Sequence, residues 1–384
     1  MDHIVNILFS GDFSPCRDYE NIVLEKKEKV FGQALPVIQD ADLSFVNLEC
    51  PLTKTNRSIN KSGPALKADP KCASALKDFT VAGLANNHIL DYGEQGLVDT
   101  IAACKAYGIP TVGAGPNIEE AQKVFVQCIK GIKVAIIAIA EHEFNQSEVG
   151  GAGSAPTDAI ENYKQIQQAK SVSDIVIVTF HGGNEYFPFP RPGLRKLFHH
   201  FIDLGVSAVI CHHPHVPGGY EYYNGKPIVY SLGNLVFDNS APPKEWDLGY
   251  MAKLAFDLKT KEQVSLDLIP YRQSVELGGV VLLQGKEKEI LLKQIEGYRK
   301  KIEDEDAWLT EWQNFVSKQS DIYILRQYFP FVIRGLGFLA RNTALAKLFF
   351  NHKNSLAKLN ILRCQSHKEL LISALESKSK PRND

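Results

Sequence analysis

Through about residue 210 the chain alternates between short apolar, largely β-branched runs and longer stretches with helical spacing. The runs IVNILFS (4–10), LSFVNLE (43–49), VAGLA (81–85), KVAIIAIA (133–140), DIVIVTF (174–180) and SAVI (207–210) are predicted strands. Their apolar positions are continuous rather than alternating, the pattern of strands covered on both faces in a layered α/β sheet. Helices are predicted between them near 17–30, 93–106, 157–170 and 190–204. In YGEQGLVDTIAACKAYGIP, Leu97, Ile101, Ala102 and Cys104 share one face and Gly108 marks the stop.

From 218 to 270 the pattern becomes that of hairpins. YEYYNGKPIVYSL places Asn-Gly between two β-rich runs, and MAKLAFDLKTKEQVSLDLIPY repeats the arrangement across a polar link. The α/β part is therefore expected to occupy 1–275 and to end in antiparallel strands. After about 286, Leu291, Leu292, Ile295, Tyr298 and Ile302 recur at helical spacing, and 276–384 reads as a helical extension with a polar tail, SKSKPRND.

Composition narrows the class without naming a function. At 44% hydrophobic and 23% charged, with net charge −1, the chain is an ordinary globular protein, and nothing global steers it to nucleic acid. The start, MDHIVNILFSGDFSP, lacks the basic flank and longer apolar core of a secretory signal, and no run reaches about 18 apolar residues. Seven scattered cysteines without CxxC spacing read as reduced thiols, so the expected location is the cytoplasm. Residues 323–384 carry eleven Lys or Arg against three Asp or Glu. That stretch fits either a core-facing helical pair with a solvated basic face or a peripheral contact with the inner membrane surface.

The candidate chemistry sits where strands end, which is where open α/β sheets carry their sites. The first strand ends at Asp12, the second at Asn47 and Glu49, the third in LANNHILDYG with Asn87 and His88. The last two end in HGGNEY, with His181 and Glu185, and in CHHPH, with His212, His213 and His215. Each residue has a plain alternative: Asp12 as a turn or cap residue, the asparagines as turn formers, the histidines as loop or core polars. Together they form one set of carboxylates and imidazoles suited to a borderline divalent metal such as Zn, Mn or Fe. In His213-Pro214-His215 an extended backbone would direct both imidazoles to one side. Metal-activated water would then be the nucleophile and a spare imidazole the proton donor.

The combination GDFSP, NLECPLT, ANNHILDYGEQGL, HGGNEY and HHPHV…GKPIVYSLGNLVFD resembles the bacterial capsule synthesis proteins of the CapA (poly-γ-glutamate capsule) family, a branch of the calcineurin-like metallophosphoesterases. The resemblance runs over about residues 5–245 and does not reach the C-terminal helices. It implies a four-layer α/β/β/α sandwich with one or two divalent ions held by Asp12, Glu49, Asn87, His181, His213 and His215. It also implies His88 as the catalytic imidazole and Asn47, Glu185, His212 and Asn234 as substrate contacts. The chain departs from the superfamily pattern at Ser14, which stands where D-x-H supplies a histidine, and at His212, which replaces the glycine of GH-x-H.

Two functions follow as expectations. One is a metal-dependent hydrolase-like enzyme of capsule or poly-γ-glutamate biosynthesis, acting on a phosphoester or a related acyl or amide bond. The other is a non-hydrolytic accessory protein that binds an anionic polymer, or its phosphorylated or glycan precursor, for a separate synthase.

Overall fold

The computed structural model describes residues 3–61, 63–146, 151–239, 242–328 and 352–379. In chain order the first half comprises β1 (Ile4–Ser14), α1 (Asp18–Lys26), α2 (Leu35–Asp40), β2 (Leu43–Leu48), β3 (Val81–Gly83), α3 (Gly93–Ala106), β4 (Thr111–Val112), β5 (Ala114–Gly115), α4 (Ile118–Ala121), β6 (Phe125–Ile129), β7 (Ile132–Ala140) and β8 (Gly153–Ser154). There follow α5 (Ala159–Val172), β9 (Ile175–His181), α6 (Pro192–Asp203), β10 (Ala208–His212), β11 (Tyr220–Tyr223), β12 (Lys226–Val229), β13 (Asn234–Phe237), β14 (Leu248–Asp257), β15 (Gln263–Ser274) and β16 (Gly279–Leu282). Helices α7 (Gly285–Glu303), α8 (Glu305–Tyr328), α9 (His352–Arg363) and α10 (Gln365–Ser379) complete the described chain.

Two large sheets stack face to face. The first has the order β16-β15-β14-β1-β2-β3-β4, with β13 paired to the end of β1; the second runs β11-β12-β10-β9-β7-β6. Side chains alternate along each strand, so one strand feeds two cores. Val5, Ile7 and Phe9 of β1 meet Val134, Ile136 and Ala138 of β7 between the sheets. Leu8 faces outward, into a core shared with Tyr19 and Val23 of α1. On the other side, Ala135, Ile137 and Ile139 of β7 pack with Ile166 of α5, Phe198 of α6 and Trp308 and Trp312 of α8. The layers are therefore helix, sheet, sheet, helix, and the continuous apolar runs mark strands buried on both faces.

The Asn-Gly hairpin is present as read. Asn224 and Gly225 both take positive φ, 49° and 73°, between β11 and β12. A second hairpin, β6 to β7, turns at Lys130 and Gly131 with φ 48° and 86°, and its first strand was not among the predicted ones. β6, FVQCI, is an edge strand whose side chains are in part exposed and whose short apolar run is broken by Gln127. Strand β16 extends the first sheet beyond residue 275.

The C-terminal helices do not stand apart from the sandwich. Leu291 and Ile295 of α7 reach the core between the sheets, and Leu370 and Ala374 of α10 join the outer core of the second sheet. Among the described residues no helix is long and apolar enough to cross a membrane. Of the 323–384 stretch, which fits either a core-facing helical pair or a membrane contact, residues 329–351 and 380–384 lie outside the described residues.

Candidate metal centre

Both sheets end their parallel strands at the same edge. On the first, Asp12 of β1 stands in register with Asn47 of β2 and Asn234 of β13. On the second, Ala140, His181 and His212 stand in register across β7, β9 and β10. The β13 loop reaches β1 only because two glycines permit it. A Cβ on Gly11 would lie 2.0 Å from the Gly233 carbonyl oxygen, and Gly233 holds φ 74°. That contact lets the Asp12 N–H donate to the Gly233 carbonyl at 3.1 Å.

Asp12 is buried and densely held. Its Oδ1 accepts from Asn47 Nδ2 at 2.7 Å, its Oδ2 accepts from the His213 N–H at 3.2 Å, and His215 Nδ1 lies 3.5 Å from Oδ2. Burial opposes its charge, but the His215 hydrogen bond and the surrounding imidazoles hold the carboxyl well below the usual range.

The histidine turn differs from the sequence expectation. His213 and His215 have φ 97° and 61°, so the backbone around Pro214 is left-handed at both histidines rather than extended. A non-glycine residue in this region persists only where its surroundings over-determine it. Here the His213 N–H is tied to Asp12, and the Pro214 carbonyl accepts from Tyr186 N–H at 2.9 Å. The rings still converge: His213 Nδ1 is 3.2 Å from His181 Nε2, and the centroids of His213 and His215 are 5.6 Å apart.

Two asparagines set ring orientation. Asn234 Oδ1 accepts from His215 Nδ1 at 2.9 Å, which leaves Nε2 of that ring facing Glu49 at 3.6 Å. Asn47 Nδ2, already donating to Asp12, also lies 3.1 Å from His181 Nδ1. The other nitrogen, His181 Nε2, faces Asn87 Oδ1 at 3.0 Å and Glu49 Oε1 at 3.5 Å. Burial and the neighbouring His213 keep His181 neutral, the form that ligates metal.

Glu49 is the anomaly of the site. It is fully buried, yet neither carboxylate oxygen has a hydrogen-bond partner. Burial and the like charge of Asp12 push its carboxyl well above the usual range. A buried carboxylate without donors is costly. One ligand atom from each of Glu49, His213 and His215 lies within 4.8 Å of the others, and the same holds for Asp12, Glu49 and His181. Glu49 belongs to both groups. The separations of 3.5 and 3.6 Å match the distance between neighbouring ligands each roughly 2.1 Å from one ion. The residues fit a divalent cation, with Glu49 placed to be shared by two.

His88 lies beside this cluster. Its Nδ1 is 2.6 Å from Asp91 Oδ2, and Lys61 Nζ bonds Asp91 Oδ1 at 2.6 Å. Burial lowers the imidazole pKa from its usual value, Asp91 pulls it upward, and Lys61 lowers it further. Asn86 holds the loop, donating to the Leu48 carbonyl at 2.8 Å and accepting from the His88 N–H at 3.1 Å.

Asp12, Asn47, Glu49, Asn87, His181, His213, His215 and Asn234 thus form one hydrogen-bonded or closely spaced cluster. Glu185 is exposed at its rim, near enough for its charge to act on Glu49 and His215. His212 turns away: its Nε2 lies 3.1 Å from the Ser10 carbonyl and its ring packs on Phe45 between the sheets. Ser14 also turns away, donating to Cys16 Sγ at 3.4 Å. Lys61 carried no motif in the sequence, and neither did Glu143, whose Oε2 accepts from Asn87 Nδ2 at 3.3 Å.

Residues 6–239 match the family model described as bacterial capsule synthesis protein PGA_cap. The PGA biosynthesis protein CapA of Bacillus subtilis (strain 168) is 33% identical over 252 residues, which are 62% of this chain and 64% of that protein. The capsule biosynthesis protein CapA of Bacillus anthracis is 34% identical over 245 residues, 59% and 58% of the two chains. A probable polyglutamine synthesis accessory protein of Mycobacterium tuberculosis is 29% identical over 265 residues, 64% and 70%. The match therefore spans about three-fifths of the length of the two Bacillus relatives.

Proposed function

The chain belongs to the bacterial capsule synthesis protein PGA_cap family, and from that premise we propose that it is a divalent-metal-dependent, hydrolase-like protein of surface-polymer biosynthesis. Its substrate is an anionic capsule polymer or a phosphorylated or glycan precursor, and the bond cleaved is a phosphoester or a related acyl or amide. Glu49 carries the proposal: a buried carboxylate without a hydrogen-bond donor, faced by His181 and His215, calls for a cation.

Asp12, Glu49, Asn87, His181, His213 and His215 would hold the metal. When bound, a divalent ion supplies Lewis-acid charge stabilisation and a more acidic water. Asn47 and Asn234 orient the imidazoles, and Asp12 fixes the turn that carries them. His88, its Nδ1 engaged by Asp91, keeps Nε2 to exchange a proton with the leaving group.

The test is metal analysis and turnover of a chromogenic phosphoester by purified protein loaded with Mn, Zn or Fe. His88→Asn is expected to retain metal while turnover falls by roughly 10²–10⁴, the usual contribution of a general acid. A protein that takes up no metal, or a variant with unchanged turnover and polymer production, defeats the reading.

One observation favours a second reading, an accessory protein that binds the polymer or its precursor for a synthase without cleaving it. The position that would supply a further imidazole is Ser14, turned toward Cys16. That reading is expected to give polymer binding without turnover, lost in Asp12→Ala and His215→Ala.

A further inference from the structure

We propose that Glu143, Cys364 and His367 form a second metal site, for a zinc-class ion, that pins the C-terminal helices to the edge of the sandwich. One ligand atom of each lies within 4.8 Å of the others. They come from two distant places. Glu143 follows β7, while Cys364 immediately precedes α10 and His367 sits in its first turn. The C-x-x-H spacing puts thiol and imidazole on one side of the helix start, because residues three apart are neighbours on a helical surface.

The donor set is selective. A thiolate with an imidazole favours zinc over the hard cations that all-oxygen sites take, and a carboxylate completes a three-ligand set with one position left for solvent. Cys364 is fully buried, whereas the side chains of Glu143 and His367 keep 14% and 26% exposure, enough for an ion to enter from their side. Zinc bond lengths imply ligand separations of about 3.3–3.7 Å in a tetrahedron. The Glu143 Oε1 to His367 Nε2 distance of 3.0 Å needs to open by only a few tenths of an ångström. Cys364 Sγ also lies 2.9 Å from Ser366 Oγ and 3.8 Å from Glu141 Oε2, so an ion would draw the thiol from those contacts onto the Glu143–His367 pair.

The surroundings are those of a docking point. Arg191 pairs with both Glu141 and Glu369, and Glu369 Oε1 accepts from the Gly193 N–H at 2.7 Å. These contacts bring α10 against the start of α6 and the segment after β7. Glu143 is also the residue whose other oxygen accepts from Asn87, and Asn87 faces His181. An ion on Glu143 Oε1 therefore fixes an amide of the first centre from outside it.

Cobalt distinguishes the two centres, because the first contains no sulfur ligand. Titration of the full chain with Co²⁺ is expected to produce a near-ultraviolet thiolate-to-cobalt charge-transfer band. The band should vanish in Cys364→Ser and survive in His213→Ala. Glu143→Gln and His367→Asn should each weaken cobalt affinity at that band at least tenfold. No band in the wild-type protein, a band that survives Cys364→Ser, or unchanged affinity in both other variants overturns the proposal. None of these results bears on whether the first centre binds metal or turns over substrate.

Discussion

Glu49 Oε1 lies 3.6 Å from His215 Nε2, and no hydrogen-bond donor reaches either oxygen of that carboxylate. His215 itself is satisfied, since its Nδ1 is taken by Asn234. The pair therefore sets an unshared lone pair beside a carboxyl whose ionised form is unfavourable until a cation stands between them.

Neutralising Glu49 separates stability from metal binding. Burial and Asp12 already disfavour ionisation of Glu49, so the metal-free Glu49→Gln variant, with a neutral isostere there, is expected to melt close to the metal-free wild type. The wild type should gain about 2.7 kcal/mol from a cation at a hundred times its dissociation constant, and the variant little. Thermal melts with and without added Mn²⁺ or Zn²⁺ check this; a variant stabilised as much as the wild type would contradict it.

Asn234 should matter to metal affinity without touching metal. It accepts from His215 Nδ1 and donates to the carbonyls of His215 and Trp246. Removing an orienting partner of a ligand histidine weakens metal binding by about 10–100-fold. Asn234→Ala is expected to fall in that range in a competitive chelator titration, and an affinity within twofold of wild type would show that His215 needs no such support.

A pH effect is expected from Glu221, far from the centre. Burial opposes its charge, but His199, Arg195 and Tyr230 bond it and pull its pKa down to about 2. A carboxyl depressed in the folded state contributes stability that is present above its unfolded pKa, near 4.5, and is lost as pH falls toward 2. The shift corresponds to roughly 3 kcal/mol. Urea midpoints at pH 6, 4 and 3 should fall more steeply for the wild type than for Glu221→Gln; parallel curves would refute the assignment.

The edge of strand ends was legible because burial on both faces leaves an unbroken apolar run, and the first polar residue after it marks the edge. Asp12, Glu49, His181 and the histidine turn follow from that rule. Strand β6 was missed because Gln127 breaks its short apolar run FVQCI, and the left-handed backbone at His213 and His215 was missed because the ties that enforce it, to Asp12 and from Tyr186, come from other segments. Lys61 and Glu143 had no local signal, and the lone C-x-x-H of Cys364 and His367 lacks the second ligand pair that marks a metal motif in sequence. Their partners lie tens to hundreds of residues away, and the chain near them reads as loop or ordinary helix.

The docking of α10 has a consequence for the order of assembly. A nascent chain that has emerged through β15 already owns every group of the first centre, but Glu141 and Glu143 still await Arg191's second partner and His367. Vectorial synthesis, in which earlier segments settle first, would leave this wall open until residue 369 leaves the ribosome.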